Sequence, residues 1–104
     1  MASPRSALFV IDIQNDLAGN PETQIPHTDR IRSSADKVIA CARRLNDSAR
    51  AKQSPVPYLI VFVQHEEDPA SGPLVRGTRP WELVFEPRPD DPDEKLVAKS
   101  TGKY

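Results

Sequence analysis

Two short apolar runs flanking one long helical stripe limit this chain more than any other feature. The first run, Ser6 to about Ile13, carries Leu8, Phe9, Val10 and Ile11 in series. An apolar run this short, closed by the turn-prone Asn15-Asp16 and Gly19-Asn20-Pro21, predicts a buried strand. Thr28 or Asp29 can cap a helix, and from there Ile31, Ala35, Val38, Ala42, Leu45 and Ala49 recur at steps of four and three. That stripe predicts a helix to about Lys52. Arg43, Arg44, Asp47, Arg50 and Lys52 face away or lie at its margins, and Cys41 is half-buried at its edge. Pro55 and Pro57 stop the helix, and Tyr58–Val63 reads as a second buried strand. Strand, long helix, strand is a βαβ unit, whose crossover implies a parallel pair.

The rest of the chain is thinner. His65 to about Glu94 is rich in proline and holds one short apolar patch, Trp81–Phe85. A loop that long in a compact domain is often a lid or a pocket wall. Lys95–Ala98 predicts a short third strand. Three strands and one helix cover a single face of a parallel sheet, and such sheets normally carry helices on both. The expected fold class is therefore α/β, a Rossmann-like parallel sheet with a crossover helix. It reads as the opening half of a larger doubly wound, three-layer domain, with residues 1–104 its N-terminal portion.

Composition removes several classes of function. Lys and Arg total 14 against 15 Asp and Glu, a net charge of -1. No basic field favours nucleic acid. No apolar stretch reaches membrane-spanning length, and Met1–Phe9 lacks a signal-peptide core. One cysteine, Cys41, excludes an intrachain disulfide and fits a reducing compartment, so a cytoplasmic protein is expected. The acidic cluster Asp90–Glu94 reads as a solvated turn.

Asp12 is the odd residue. It lies in line with an apolar strand, and burying a lone carboxylate is costly unless it is paired or hydrogen-bonded. Local pattern leaves two readings level: a reactive acid, or a strand that ends at Ile11 with Asp12 in a solvated turn.

The order and content of these pieces resemble the isochorismatase-like cysteine hydrolases, which include isochorismatases and nicotinamidases. The resemblance rests on "ALFVIDIQNDL" at the first strand, on the helix end and second strand "ARRLNDSARAKQSPVPYLIVFVQH", and on "LVAKS" after the acidic, proline-rich loop. It spans Ala7 to about Ser100 and only the first half, or slightly more, of that family's domain. It implies a catalytic set of an aspartate closing the first strand, a lysine after the third and a cysteine at a later helix start. Asp12 matches the first and Lys99 the second, with Lys95 and Lys103 as competitors that only register excludes. The third has no counterpart, since Cys41 lies mid-helix, away from the helix terminus that would favour a thiolate.

In such a set the aspartate takes the thiol's proton and the lysine steadies the resulting charge. The strand carboxyl ends share one edge, where open α/β folds bind ligands. If the strand order is 3-2-1, Asp12 and Lys99 stand two strand spacings apart, roughly 10 Å, within reach of a lysine side chain. The resemblance implies hydrolysis of a small carboxamide, or of a vinyl ether in relatives without the cysteine. It implies a small-molecule substrate and calls for no organic cofactor; charge and hydropathy speak against a nucleic-acid or membrane partner, and without the nucleophile no activity is expected from these 104 residues alone.

Three further residues are candidates for substrate contact. Gln14 belongs to the D-x-Q pattern and can orient Asp12 or close the strand. Trp81 lines an apolar pocket or anchors the long loop. His65 ends the second strand as pocket wall or surface. A metal site is not expected, because Val63-Gln64-His65 stands where the nicotinamidase branch carries Asp-x-His and only His27 is available besides. The competing reading is a catalytically silent half-domain, either a truncated gene product or a binding or oligomerisation module whose bare first strand invites self-association at the sheet edge. A nucleotide-binding module has little support, since Gly19 alone follows the first strand.

Overall fold

The computed structural model describes residues 5–15 and 26–100. Asp16, Gly19–Pro21 and Lys103, singled out in the sequence, lie outside them. Four elements follow in order: β1 (Ser6–Ile11), α1 (Thr28–Ala51), β2 (Tyr58–Glu66) and β3 (Glu94–Ser100). The strands form one parallel sheet in the order β1-β2-β3, with Leu8 beside Ile60 and Phe62 beside Leu96. The expected α/β architecture is present, with different strand limits. β1 stops at Ile11, because Asp12 turns into the left-handed region at φ 58°. β2 and β3 run further, since Gln64, His65 and Glu66 pair with Ala98, Lys99 and Ser100. Lys99 is thus inside its strand rather than beyond it.

Ladder partners share a face, and the two faces differ sharply. Val10, Ile60 and Phe62 lie on one side and pack on Ile39 and Ala42 of α1, with Leu8, Ala35, Leu83 and Phe85 at the margin. On the other side Phe9, Ile11 and Val97 are 58%, 52% and 47% exposed, uncovered by any described residue. The α1 stripe is rotated from its expected centre. Ile39, Ala42 and Asn46 are buried, while Val38 and Leu45 are exposed beside the open flank of β1. Cys41 shares that flank and is exposed, not half-buried.

Both ends of α1 are held by backbone rather than by the expected caps. His27, in the left-handed region, precedes the first turn with no side-chain cap, and Thr28 is buried inside the helix. At the other end Ser54 donates to Ala49 O (2.9 Å) and Gln53 to Arg50 O (3.0 Å), closing the helix through a left-handed Gln53 at φ 56°. Asn46 fixes the start of β2. Its amide donates to Tyr58 O (2.9 Å) and accepts from Tyr58 N–H (3.1 Å).

The acidic cluster Asp90–Glu94 is largely not a solvated turn. Glu94's side chain is fully shielded and receives Arg43 through two nitrogens (2.8 and 3.0 Å) and Arg88 through Nε (2.8 Å). Asp91, also shielded, takes Arg50 (2.7 Å) and Arg88 (2.6 Å), while Arg50 adds Asp93 (2.8 Å). Three arginines from the helix and loop gather the cluster, a grouping that their spread through the sequence conceals.

Candidate active site

At the carboxyl edge of the sheet the chain brings a carboxylate and an ammonium side by side. Lys99 shares a face with its ladder partner His65, and its ammonium reaches across β2 to Asp12 Oδ2 at 3.1 Å. The Lys99 and Asp12 side chains are 26% and 30% exposed, so the pair meets solvent without being immersed in it. The structure settles the backbone of Asp12 and gives its carboxylate a partner. The strand does end at Ile11, yet the carboxylate is paired and faces the shared edge.

The local backbone explains how a residue after a strand can aim sideways. Asp12 N–H still continues the ladder to Val63 O (3.0 Å), and its left-handed φ then swings the chain, with Gln14 N–H closing on Asp12 O (3.0 Å). An aspartate adopts this conformation more readily than most L-residues. Asp12 Oδ1 is buried and has no hydrogen-bond partner among the described residues. One oxygen therefore holds the ammonium, and the other retains open acceptor capacity next to a fixed positive charge.

Gln14 supports this turn from beneath. Its side chain is wholly buried, donates to His65 O (2.9 Å) and Trp81 O (2.6 Å), and accepts from His65 N–H (2.9 Å). The amide acts as an inserted peptide unit, bonding the His65 backbone beside Lys99 and anchoring the long loop. Its bonds are all internal, so it positions the edge and leaves little for a substrate to touch.

Beyond it, Gln14 bridges Leu83, Asn15 N–H meets Glu82 O (2.9 Å) and Val84 N–H meets Ile13 O (2.9 Å). The apolar patch of the loop thus docks antiparallel on the segment after β1. Trp81 serves as the anchor through its carbonyl, which also accepts from Gln64 (3.0 Å). Its indole N–H is buried without a partner among the described residues. Its ring also lines a cavity of about 250 Å³ with Gln64, Leu83, Pro87 and Leu96. Neither Asp12 nor Lys99 lines that cavity, and Trp81 is tied to the edge that carries the pair through Gln14 and Gln64.

One reactive side chain stays apart from the pair. Cys41, on α1, lies toward the helix-covered face, in an apolar groove with Leu8, Val38, Leu45 and Tyr58. Among the described residues no group of three His, Cys, Asp or Glu can hold a metal ion. Nor is any described helix long and apolar enough to cross a membrane. Sequence reasoning found both charges of the pair. It missed the left-handed turn, for which a strand ending on Asp followed by a buried Gln was the only available signal.

Comparison with known proteins extends this picture. No match was found among curated proteins. An isochorismatase-like hydrolase from Alkaliphilus metalliredigens has a similar fold, with a TM-score of 0.67 and 21% identity, covering 92% of this chain and 49% of that one. The pyrazinamidase of Pyrococcus horikoshii, solved in complex with zinc, aligns with a TM-score of 0.50 and 22% identity over 94% of this chain and 53% of that one. The chain spans about half the length of these structures. The donors among the described residues do not fit a zinc site. Residues 6–103 match the isochorismatase domain, and the chain belongs to the isochorismatase family.

Proposed function

We propose that this chain carries the acid–ammonium part of a hydrolase site acting on small carboxamides. The observation that supports this most is the Asp12–Lys99 pair with its open Oδ1. A carboxylate oxygen beside a fixed cation can take a proton from an attacking nucleophile and return it to a leaving amine. The ammonium offsets the charge that develops between those two events. The pyrazinamidase among the similar structures, an enzyme named for an amide substrate, favours a carboxamide over other substrates. Acyl transfer through a thioester needs a cysteine near this pair, and Cys41, the single cysteine, lies on the helix. In this reading the part played by the chain's own residues is to bind the amide at Asp12 and Lys99, and the described residues place no cysteine beside that pair.

Binding tests this reading. Titrating the labelled chain with a panel of small carboxamides, followed by amide NMR, is expected to shift Asp12, Ile13 and Lys99. The Asp12→Asn variant loses those shifts, and no ammonia is released by either protein. Shifts confined to the Trp81 cavity, or turnover that survives Asp12→Asn, would overturn the assignment.

A further inference from the structure

The Asp12–Lys99 pair spans a strand that belongs to neither partner. β2 separates β1 from β3, so the lysine bridges about 10 Å, two strand spacings, to bring its ammonium to the carboxylate. A lysine is a flexible chain with a strongly hydrated head, and an ion pair open to solvent by about a quarter to a third holds it weakly. The pair alone does not fix one path for Lys99 across the sheet. Some part of β2 must shape it.

Register identifies that part. Side chains alternate between faces along a strand, so only the odd-numbered residues of β2 share the face of Lys99. Val63 is level with Ile11 and Val97, and His65 is level with Lys99 itself. Asp12 lies between these two levels, since it follows the Ile11–Val63 pairing and its N–H bonds Val63 O (3.0 Å). The lysine therefore crosses β2 through the gap between Val63 and His65, with an isopropyl group on one side and an imidazole on the other.

His65 is the more firmly held of the two walls. Its peptide is gripped from both sides by the Gln14 amide, the N–H donating to Oε1 and the C=O accepting from Nε2, each at 2.9 Å. Its ring is half-buried, with Nδ1 shielded from solvent. We infer that His65 is a positioning residue, whose flat ring closes the far side of the gap and keeps the Lys99 ammonium on Asp12. Oδ1 of Asp12 is then left as the open acceptor. Resting on the hydrolase reading above, this role makes His65 act on a bound amide through Lys99. Charge matters as well as shape. A second fixed cation at position 65 would stand level with Lys99 on the same face and compete for the same carboxylate. The neighbouring Glu66 cannot relieve that competition, because it projects to the opposite face and pairs with Arg76 (2.8 Å).

NMR of the chain labelled at lysine Cε tests this without any ligand, with Lys99 assigned through Lys99→Arg. A lysine held in one rotamer shows two distinct Cε protons, and a free one shows a single averaged signal. The wild type is expected to show two and Asp12→Asn one. His65→Ala collapses them to one while the Gln14 side-chain amide resonances, which report its bonds to the His65 and Trp81 backbone, stay in place. His65→Phe, flat and uncharged, keeps two signals, and His65→Lys loses them. In the carboxamide titration His65→Ala weakens binding about tenfold, and His65→Phe stays within about twofold of the wild type. A single signal in the wild type, two in folded His65→Ala or His65→Lys, or one in folded His65→Phe would each overturn the proposal. If His65→Ala does not fold, the Phe and Lys variants decide alone. A wild type and variants that follow the expected Cε pattern but bind no carboxamide refute the hydrolase reading and leave the positioning of Lys99 supported, so the two fail separately.

Discussion

At Asp12 a single residue meets two demands that different side chains would meet separately. Its backbone must adopt a positive φ to leave the strand, and its carboxylate must reach Lys99 across β2. Asparagine keeps the first and loses the second, whereas alanine loses both. Left-handed backbone costs an alanine roughly 1 kcal/mol more than it costs residues that visit that region readily. The ion pair, about a quarter to a third exposed, contributes less, under about 1 kcal/mol after solvent screening. In urea unfolding, Asp12→Ala is therefore expected to be less stable than Asp12→Asn by about 1 kcal/mol, with Asp12→Gly recovering most of the difference. Equal stability of the alanine and asparagine variants would mean that the turn carries no strain.

The same balance of backbone against side chain runs through the elements. The end of α1 depends on Gln53 in the left-handed region, where its peptide and that of Ser54 satisfy the last carbonyls. Glycine takes this conformation at little cost, so Gln53→Gly is expected to raise stability by about 0.5 to 1 kcal/mol. A thermal melt checks it, and a loss would show that the Gln53 side chain matters more than its backbone. Nothing in the sequence marks this position, because the usual glycine signal is absent.

Other elements were legible for physical reasons. Leu8–Ile11 and Tyr58–Val63 are apolar without a break because their strands pair side by side in the sheet, and α1 shows its period because one face packs on them. The positions of Val38 and Leu45 were misread, since periodicity reports an apolar face whether or not anything covers it. Gln14 was recognisable as part of the site and not as an inserted peptide unit, because a buried amide leaves no periodic trace. Asp12 and Lys99 are 87 residues apart in the chain, and only register in a parallel sheet brings them to one edge.

For the whole molecule, the cluster around Glu94 links the helix, the long loop and β3, and it predicts how stability responds to acid. Burial alone would push the Glu94 carboxyl up, but hydrogen bonds from Arg43, the Arg88 backbone and the Arg88 guanidinium outweigh it and hold it below the ordinary 4.5. At Asp91 burial is again the opposing effect. The Asp93 backbone and Arg50 overcome it, placing that carboxyl below the ordinary 3.8. Asp47 is lowered first by its hydrogen bond from Arg88, but it is exposed and adds little.

A carboxyl depressed in the folded state stabilises above its unfolded value, and that stabilisation disappears as pH falls through the folded value. The melting temperature should therefore be level above about pH 5 and fall progressively below about pH 4. Glu94→Gln removes one such group and leaves two guanidiniums without their shared anion. Both reach solvent, so the loss at pH 7 is about 2 to 3 kcal/mol, short of the penalty for a fully buried orphan charge. The variant's deficit should then shrink on acidification, because protonation removes the same carboxylate from the wild type. Melts of both proteins from pH 7 to pH 3 measure the two slopes. Parallel curves would mean that Glu94 stabilises the fold by shape and packing, and that the arginines would tolerate a neutral partner equally well.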